Sequence, residues 1–156
     1  TRHLLYAFEG LHSIGRVHND LKPENVVCDK RGNSILIDFG MPKNSPANQE
    51  LSISWQLDVR KCQQNELLEE HQKDDLISLA YLLLFNVCGE TLPFMEEFYI
   101  EKQEQHSYTP LESLQEMLKF KSQYPILKMA KSTGIHQVII FCEIIEGLGQ
   151  FETPNY

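Results

Sequence analysis

From Leu76 to Phe85 the chain reads Leu-Ile-Ser-Leu-Ala-Tyr-Leu-Leu-Leu-Phe, with Asp74-Asp75 just before it and Gly89 shortly after. On a helical wheel these apolar side chains point in nearly every direction. Such a helix is stable in water only when other elements cover it on all sides. The two aspartates fall at its N-terminal end, where the partial positive charge of the unpaired amides favours carboxylates. The run therefore predicts a central buried helix over 74–88, with the rest of the chain packed around it. It is far too short to span a bilayer, and no longer apolar run or signal segment occurs, so no membrane partner is expected.

The material for the surrounding layers is present, since 42% of the 156 residues are hydrophobic. That proportion suits an ordinary globular core, and composition alone suggests one compact domain. Between Arg2 and Ile14, Leu4, Leu5, Ala7, Phe8, Leu11 and Ile14 recur at threes and fours, which predicts a helix stopped at Gly15. Val26-Val27-Cys28 and Ser34-Ile35-Leu36-Ile37 flank Asp29-Lys30-Arg31-Gly32-Asn33 and read as a β-hairpin. Residues 41–66 show no sustained period, and a long irregular segment inside a compact domain is more often functional than idle. Further helices are expected near Leu111–Lys121 and Ile135–Leu148, the latter with Val138, Ile139, Phe141, Cys142 and Ile145 on one face. The fold class expected is α+β and mainly helical, with one small hairpin.

Charge places the chemistry. The formal net charge is −8, yet the first 43 residues hold six basic and five acidic groups and are near neutral at +1, so the whole of the acidic excess lies beyond them. An acidic chain is a poor nonspecific binder of nucleic acid, and no nucleic-acid partner is expected. An anionic ligand such as a nucleotide fits best in the first quarter. Cys28, Cys62, Cys88 and Cys142 lie far apart without a Cys-x-x-Cys pair, which suits a reducing compartment. The location expected is cytoplasmic, with the nucleus as a second one.

That first quarter contains His18-Asn19-Asp20-Leu21-Lys22-Pro23-Glu24-Asn25, then the hairpin, then Asp38-Phe39-Gly40. An Asp, a Lys two residues on, an Asn three further and a second Asp beyond a hairpin suit phosphoryl transfer from a metal-bound nucleotide. That reaction asks mainly for positioning and charge stabilisation. Asp20 is the candidate to accept the acceptor hydroxyl's proton, and Lys22 to neutralise charge on the phosphoryl group. Asn25 and Asp38 offer hard oxygen ligands suited to Mg²⁺. His18 is expected beneath the loop, its ring hydrogen-bonded to backbone. Asp74 is expected to cap the central helix, whereas Asp75 is balanced between a cap and a brace for the loop. His12, His71, His106 and His136 lack metal-ligand spacing, and capping or solvated roles are expected for them. Trp55 is expected to pack in the core.

The ordered set from His18 to Gly40 resembles the protein kinase catalytic loop (18–25) followed by the Asp-Phe-Gly motif. Asp75-Leu76-Ile77-Ser78-Leu79 resembles the start of the kinase central helix. Lys22 after Asp20 is the pattern of serine/threonine rather than tyrosine kinases. Lys73-Asp74-Asp75, Gly89-Glu90-Thr91-Leu92-Pro93-Phe94, the lack of an Ala-Pro-Glu triplet and Phe151-Glu152-Thr153-Pro154-Asn155-Tyr156 look like the casein kinase I family. The resemblance implies a partial kinase domain over 1–156, namely the C-terminal lobe, with an activation segment over 38–72. It also implies ATP and Mg²⁺ as cofactors, a protein substrate, and the chain's own N-terminal lobe as a partner in a longer parent. Lys22, Glu24, Asn25 and Asp38 would bind nucleotide, with Asn25 and Asp38 on metal. Asp20 and Lys22 would be catalytic, and His18, Phe39, Gly40 and Asp75 would support them.

Departures from the family's pattern carry information too. Asn19 stands where the catalytic-loop Arg is usual, so control by phosphorylation of the activation segment is not expected. Trp55 to Lys61 replaces the stretch that shapes the acceptor site, and Gln72-Lys73 stands where two arginines are frequent. A preference for acidic or already phosphorylated substrates is therefore not expected to carry over. Two rivals stay open: a pseudokinase acting as a binding module, and a small-molecule phosphotransferase of kinase-like fold.

Overall fold

The computed structural model describes residues 2–39, 71–97, 116, 119–149 and 151–156. Gly40, Trp55, Cys62, His106, the irregular segment 41–66 and most of the expected helix over 111–121 lie outside the described residues.

Helix α1 (Arg2–Ser13) buries Leu4, Phe8 and His12, the stripe that a spacing of four places on one face. Its end is set by Gly15, whose φ of 72° is left-handed. There the amide of Gly15 donates to His12 O at 3.0 Å and that of Arg16 to Leu11 O at 3.2 Å, closing the helix with paired carbonyls. The chain then runs through the loop to a 3₁₀ turn, Pro23–Asn25, and into strand β1 (Val26–Cys28). Strand β2 (Ser34–Leu36) pairs with it antiparallel, in the register Val26↔Leu36, Val27↔Ile35 and Cys28↔Ser34. The connecting turn is organised by Asp29, whose Oδ1 accepts from the amides of Arg31 (2.8 Å) and Asn33 (2.9 Å), while Oδ2 accepts from Asn33 Nδ2 (2.7 Å). The hairpin is fastened to α1 where the Ser34 amide donates to His3 Nδ1 at 3.2 Å.

Helix α2 (Gln72–Val87) is the centre of the molecule. Every residue from Lys73 to Leu82 is buried, and so is Leu84. It begins two residues before the expected start because Asp74 reaches back: its Oδ2 accepts from the His71 amide at 2.9 Å, the capping role expected for it. Helices α3 (Ile126–Thr133) and α4 (His136–Gly147) pack on α2 and on each other. Val138, Cys142 and Ile145 of α4 point into the core. Lys73, itself buried, ties the layers together by donating from Nζ to Leu148 O at 2.6 Å. Residues 93–97 and 119–123 are helical. They bring Phe94 edge-on to Tyr81 (5.6 Å between ring centres), with the Lys121 ammonium 4.4 Å from the centre of the Tyr81 ring.

Leu4, Phe8, Leu21, Leu36, Leu79, Leu84, Phe94 and Cys142 thus share one core beneath the loop and hairpin. Burial pushes the Cys142 thiol up to about 11, so it behaves as a small apolar side chain. Among the described residues no helix is long and apolar enough to cross a membrane. Among the described residues the architecture is α+β and mainly helical, with one two-stranded antiparallel sheet. Helix α3 is an addition that the sequence pattern did not predict.

Candidate active site around Asp20

The loop after α1 is held in place from below. Leu21 is fully buried and anchors its middle in the core, which leaves Asp20 and Lys22 on either side turned toward the surface. Lys22 Nζ lies 2.9 Å from Asp20 Oδ2, and both side chains retain a quarter of their exposure. Asn25, buried at the end of the 3₁₀ turn, donates from Nδ2 to Asp20 O at 2.8 Å and to Asp20 Oδ2 at 3.0 Å. One carboxylate oxygen thus receives a cationic and a neutral donor, so Asp20, Lys22 and Asn25 form one hydrogen-bonded unit. The reason is local: Pro23 starts a tight turn at Lys22, and the Asn25 amide donates to Lys22 O at 3.0 Å.

Asp75 resolves the balance between cap and brace. Its side chain has no exposure, and its two oxygens accept from the His18 amide (Oδ2, 2.8 Å), the Asn19 amide (Oδ1, 2.7 Å) and His12 Nε2 (Oδ2, 2.8 Å). The first turn of α2 therefore holds the loop's backbone. Asn19 needs this hold, because its φ of 56° is a left-handed conformation that L-residues adopt at a cost.

His18 is buried and lies where the sequence places it. The Asp20 amide donates to Nδ1 at 3.3 Å, which leaves the hydrogen on Nε2 to be donated to Ile37 O at 3.2 Å. One imidazole tautomer satisfies both contacts and links the loop to the end of the hairpin. The Ile37 amide in turn donates to Asn25 O at 2.9 Å. Asp38 follows directly, exposed and left-handed at φ 61°, and Phe39 meets His18 edge-on at 5.5 Å. Glu24 is exposed on the 3₁₀ turn and makes no hydrogen bond or ion pair among the described residues.

The donor set suits a hard divalent cation of a particular kind. Among the described residues no group of three His, Cys, Asp or Glu side chains could hold a metal ion by itself. Asn25 and Asp38 bring one amide oxygen source and one carboxylate to the same end of the hairpin. That fits Mg²⁺, which is commonly bound through one or two protein oxygens with phosphates and water completing its shell.

Two features escaped the sequence pattern. His12 is buried at 5% exposure rather than solvated or capping, because its ring fills the space between Phe8 and Asp75. The helical spacing of Leu4, Phe8 and His12 was the available signal. Val27 and Ile35 form a cross-strand apolar pair that is 40% and 46% exposed on the hairpin's outer face. Their strands were read correctly, but alternation alone does not say which face is left open.

Fold and loop together define a protein kinase domain, and the chain belongs to that family, whose characteristic pattern matches residues 1–142. Within it the chain resembles casein kinase I. It is 32% identical to a probable casein kinase I homolog of Encephalitozoon cuniculi over 98% of its own length and 48% of that protein's. A second such homolog from the same organism is 27% identical over 95% of the chain and 49% of the relative. The serine/threonine-protein kinase chk-2 of Caenorhabditis elegans is 33% identical over 61% of the chain and 21% of that kinase. The chain therefore spans about half the length of the casein kinase I relatives it matches.

Proposed function

We propose that this chain supplies the catalytic loop of a serine/threonine protein kinase, which moves the γ-phosphate of ATP to protein Ser or Thr hydroxyls within a longer polypeptide. The observation that carries this reading is the Asp20 carboxylate, held by Lys22 Nζ at 2.9 Å and Asn25 Nδ2 at 3.0 Å on a loop braced by Asp75. A carboxylate fixed at the surface is placed to accept the proton of an incoming hydroxyl. Beside it, the Lys22 ammonium can move onto the phosphoryl oxygens as negative charge gathers there. Asn25 Oδ1 and the Asp38 carboxylate would hold Mg²⁺, which when bound neutralises charge on the nucleotide's phosphates. Lys22, Asn25 and Asp38 would thus share the nucleotide, and Glu24 would lie at the margin of that site. The apolar plate of Val27 and Ile35 suits the flat face of a nucleotide base and the underside of an N-terminal lobe. Alone, the chain would bind ATP weakly and transfer phosphate poorly, since positioning from one side forgoes much of the orientation that such a reaction needs. Cytoplasmic and nuclear placement accords with unpaired cysteines at Cys28, Cys88 and Cys142.

The test is γ-³²P transfer by the chain extended with its own upstream sequence, offered a casein-like protein, with Asp20→Asn and Asp38→Ala as controls. Mg²⁺-dependent labelling of Ser or Thr above both variants is the expected outcome. ATP binding without transfer above the controls would replace the reading with a binding module. Transfer confined to small hydroxyl compounds would replace it with a small-molecule phosphotransferase.

A further inference from the structure

The catalytic loop's brace does not end at Asp75. His12 Nε2 lies 2.8 Å from Asp75 Oδ2, and since a carboxylate only accepts, Nε2 carries the hydrogen. On the other side of the same ring, Nδ1 pairs with the hydroxyl of Tyr156. A neutral imidazole with its hydrogen on Nε2 has a lone pair on Nδ1, which only a donor can satisfy. Burial holds the Tyr156 hydroxyl well above its ordinary range, and the nearby charges of Asp75 and Glu9 act in the same direction. The phenol stays protonated and can be that donor. An unbroken chain of hydrogen bonds then runs from Tyr156 through His12 and Asp75 to the amides of His18 and Asn19.

The surroundings leave the imidazole few alternatives. Phe8 stacks on it at 5.7 Å and 20°, while the Tyr156 ring leans against it at 5.7 Å and 59°. The segment that carries Tyr156 is itself attached to the start of α2. Pro154 is buried, and Phe151 meets His71, the residue just before α2, edge-on at 4.9 Å. The other end of the chain of bonds is under load, because Asn19 keeps its left-handed backbone while donating to Asp75.

We infer that Tyr156 is a positioning residue for the loop 18–25: its hydroxyl fixes the tautomer and orientation of His12, which sets the Asp75 carboxylate that holds the His18 and Asn19 amides. The kinetic consequence rests on the kinase reading above, whereas the structural one does not. Residues 151–156 thereby become a place from which the loop can be loosened without touching Asp20, Lys22, Asn25 or Asp38.

The test compares wild type with Tyr156→Phe, which keeps the ring and removes one oxygen. In ¹⁵N-labelled chain, amide hydrogen exchange at His18 and Asn19 is expected to accelerate about five- to tenfold, the scale of one lost hydrogen bond. The His12 Nδ1 resonance should move with it, while exchange in the body of α4 stays unchanged. In a His12→Phe background the same substitution should have no further effect at His18 or Asn19, as a residue acting only through His12 requires. For the longer, active protein, kcat should fall by a similar factor with the KM for ATP unchanged. Unchanged exchange at His18 and Asn19, a uniform loss of protection across all helices, or an undiminished effect in the His12→Phe background would each overturn the assignment. If the longer wild-type protein transfers no phosphate, the kinase reading fails while the exchange result still decides the role of Tyr156.

Discussion

Asp75 concentrates more of the molecule's organisation than any other described side chain. A carboxylate with no exposure is costly unless its oxygens are filled, and here two backbone amides and an imidazole fill them. Asp75→Ala would leave those donors buried without an acceptor. The expected loss is about 3–5 kcal/mol, as for other broken buried pairs, read as a lower urea midpoint. Asp29 is the opposite case, a half-buried carboxylate in a turn. Its pKa lies below the ordinary 3.8, chiefly because the Asn33 backbone amide and then the Asn33 side chain donate to the charged form. Since folding lowers this value, the contribution is complete above the unfolded pKa and disappears as pH falls through the folded one. Below about pH 4, Asp29→Asn should therefore lose less stability with falling pH than wild type, as acid titration of the unfolding midpoint would show. His12 explains why one residue's role was misread: its chemistry depends on Asp75, 63 positions away, and no local pattern contains that distance.

At the scale of elements, legibility followed the source of the stabilising force. Helix α2 was readable because its apolar residues have no polar face, and burial on all sides is the only arrangement that satisfies them. The hairpin was readable because Gly32 and Asn33 stand in a turn between two β-branched runs. Helix α3 was not, being eight residues long, under the length at which a period becomes convincing. Its punctuation was present nonetheless: Pro125 precedes it, and Gly134 closes it at φ 67°. The two kinds of element respond differently to truncation. Leu79→Ala, at a site with no exposure in the middle of α2, should cost about 2–5 kcal/mol through the cavity it opens. Val27→Ala on the open face of the hairpin should change stability by less than about 0.5 kcal/mol. Parallel urea titrations of the two variants distinguish a buried supporting helix from an exposed surface.

Across the whole molecule, the loop and hairpin form one face, carried on a body whose centre is α2. The uneven charge fits that division. The acidic excess lies beyond residue 43, while the quarter that holds Asp20, Lys22, Asn25 and Asp38 is close to balanced. Composition alone suggests one compact domain, whereas the chain spans 48% and 49% of the casein kinase I homologs it resembles. A core large enough to bury itself says nothing about whether a second lobe belongs above it. The most direct measurement is the steady-state rate of γ-phosphate transfer to a protein acceptor by the longer protein and its Asp20→Asn variant, at saturating Mg²⁺ and ATP. If the Asp20 carboxylate takes the hydroxyl proton, kcat falls by about 10²- to 10⁴-fold while the KM for ATP changes little. Equal kcat values for the two proteins would contradict that role and, with it, the assignment of this face as a phosphotransfer site.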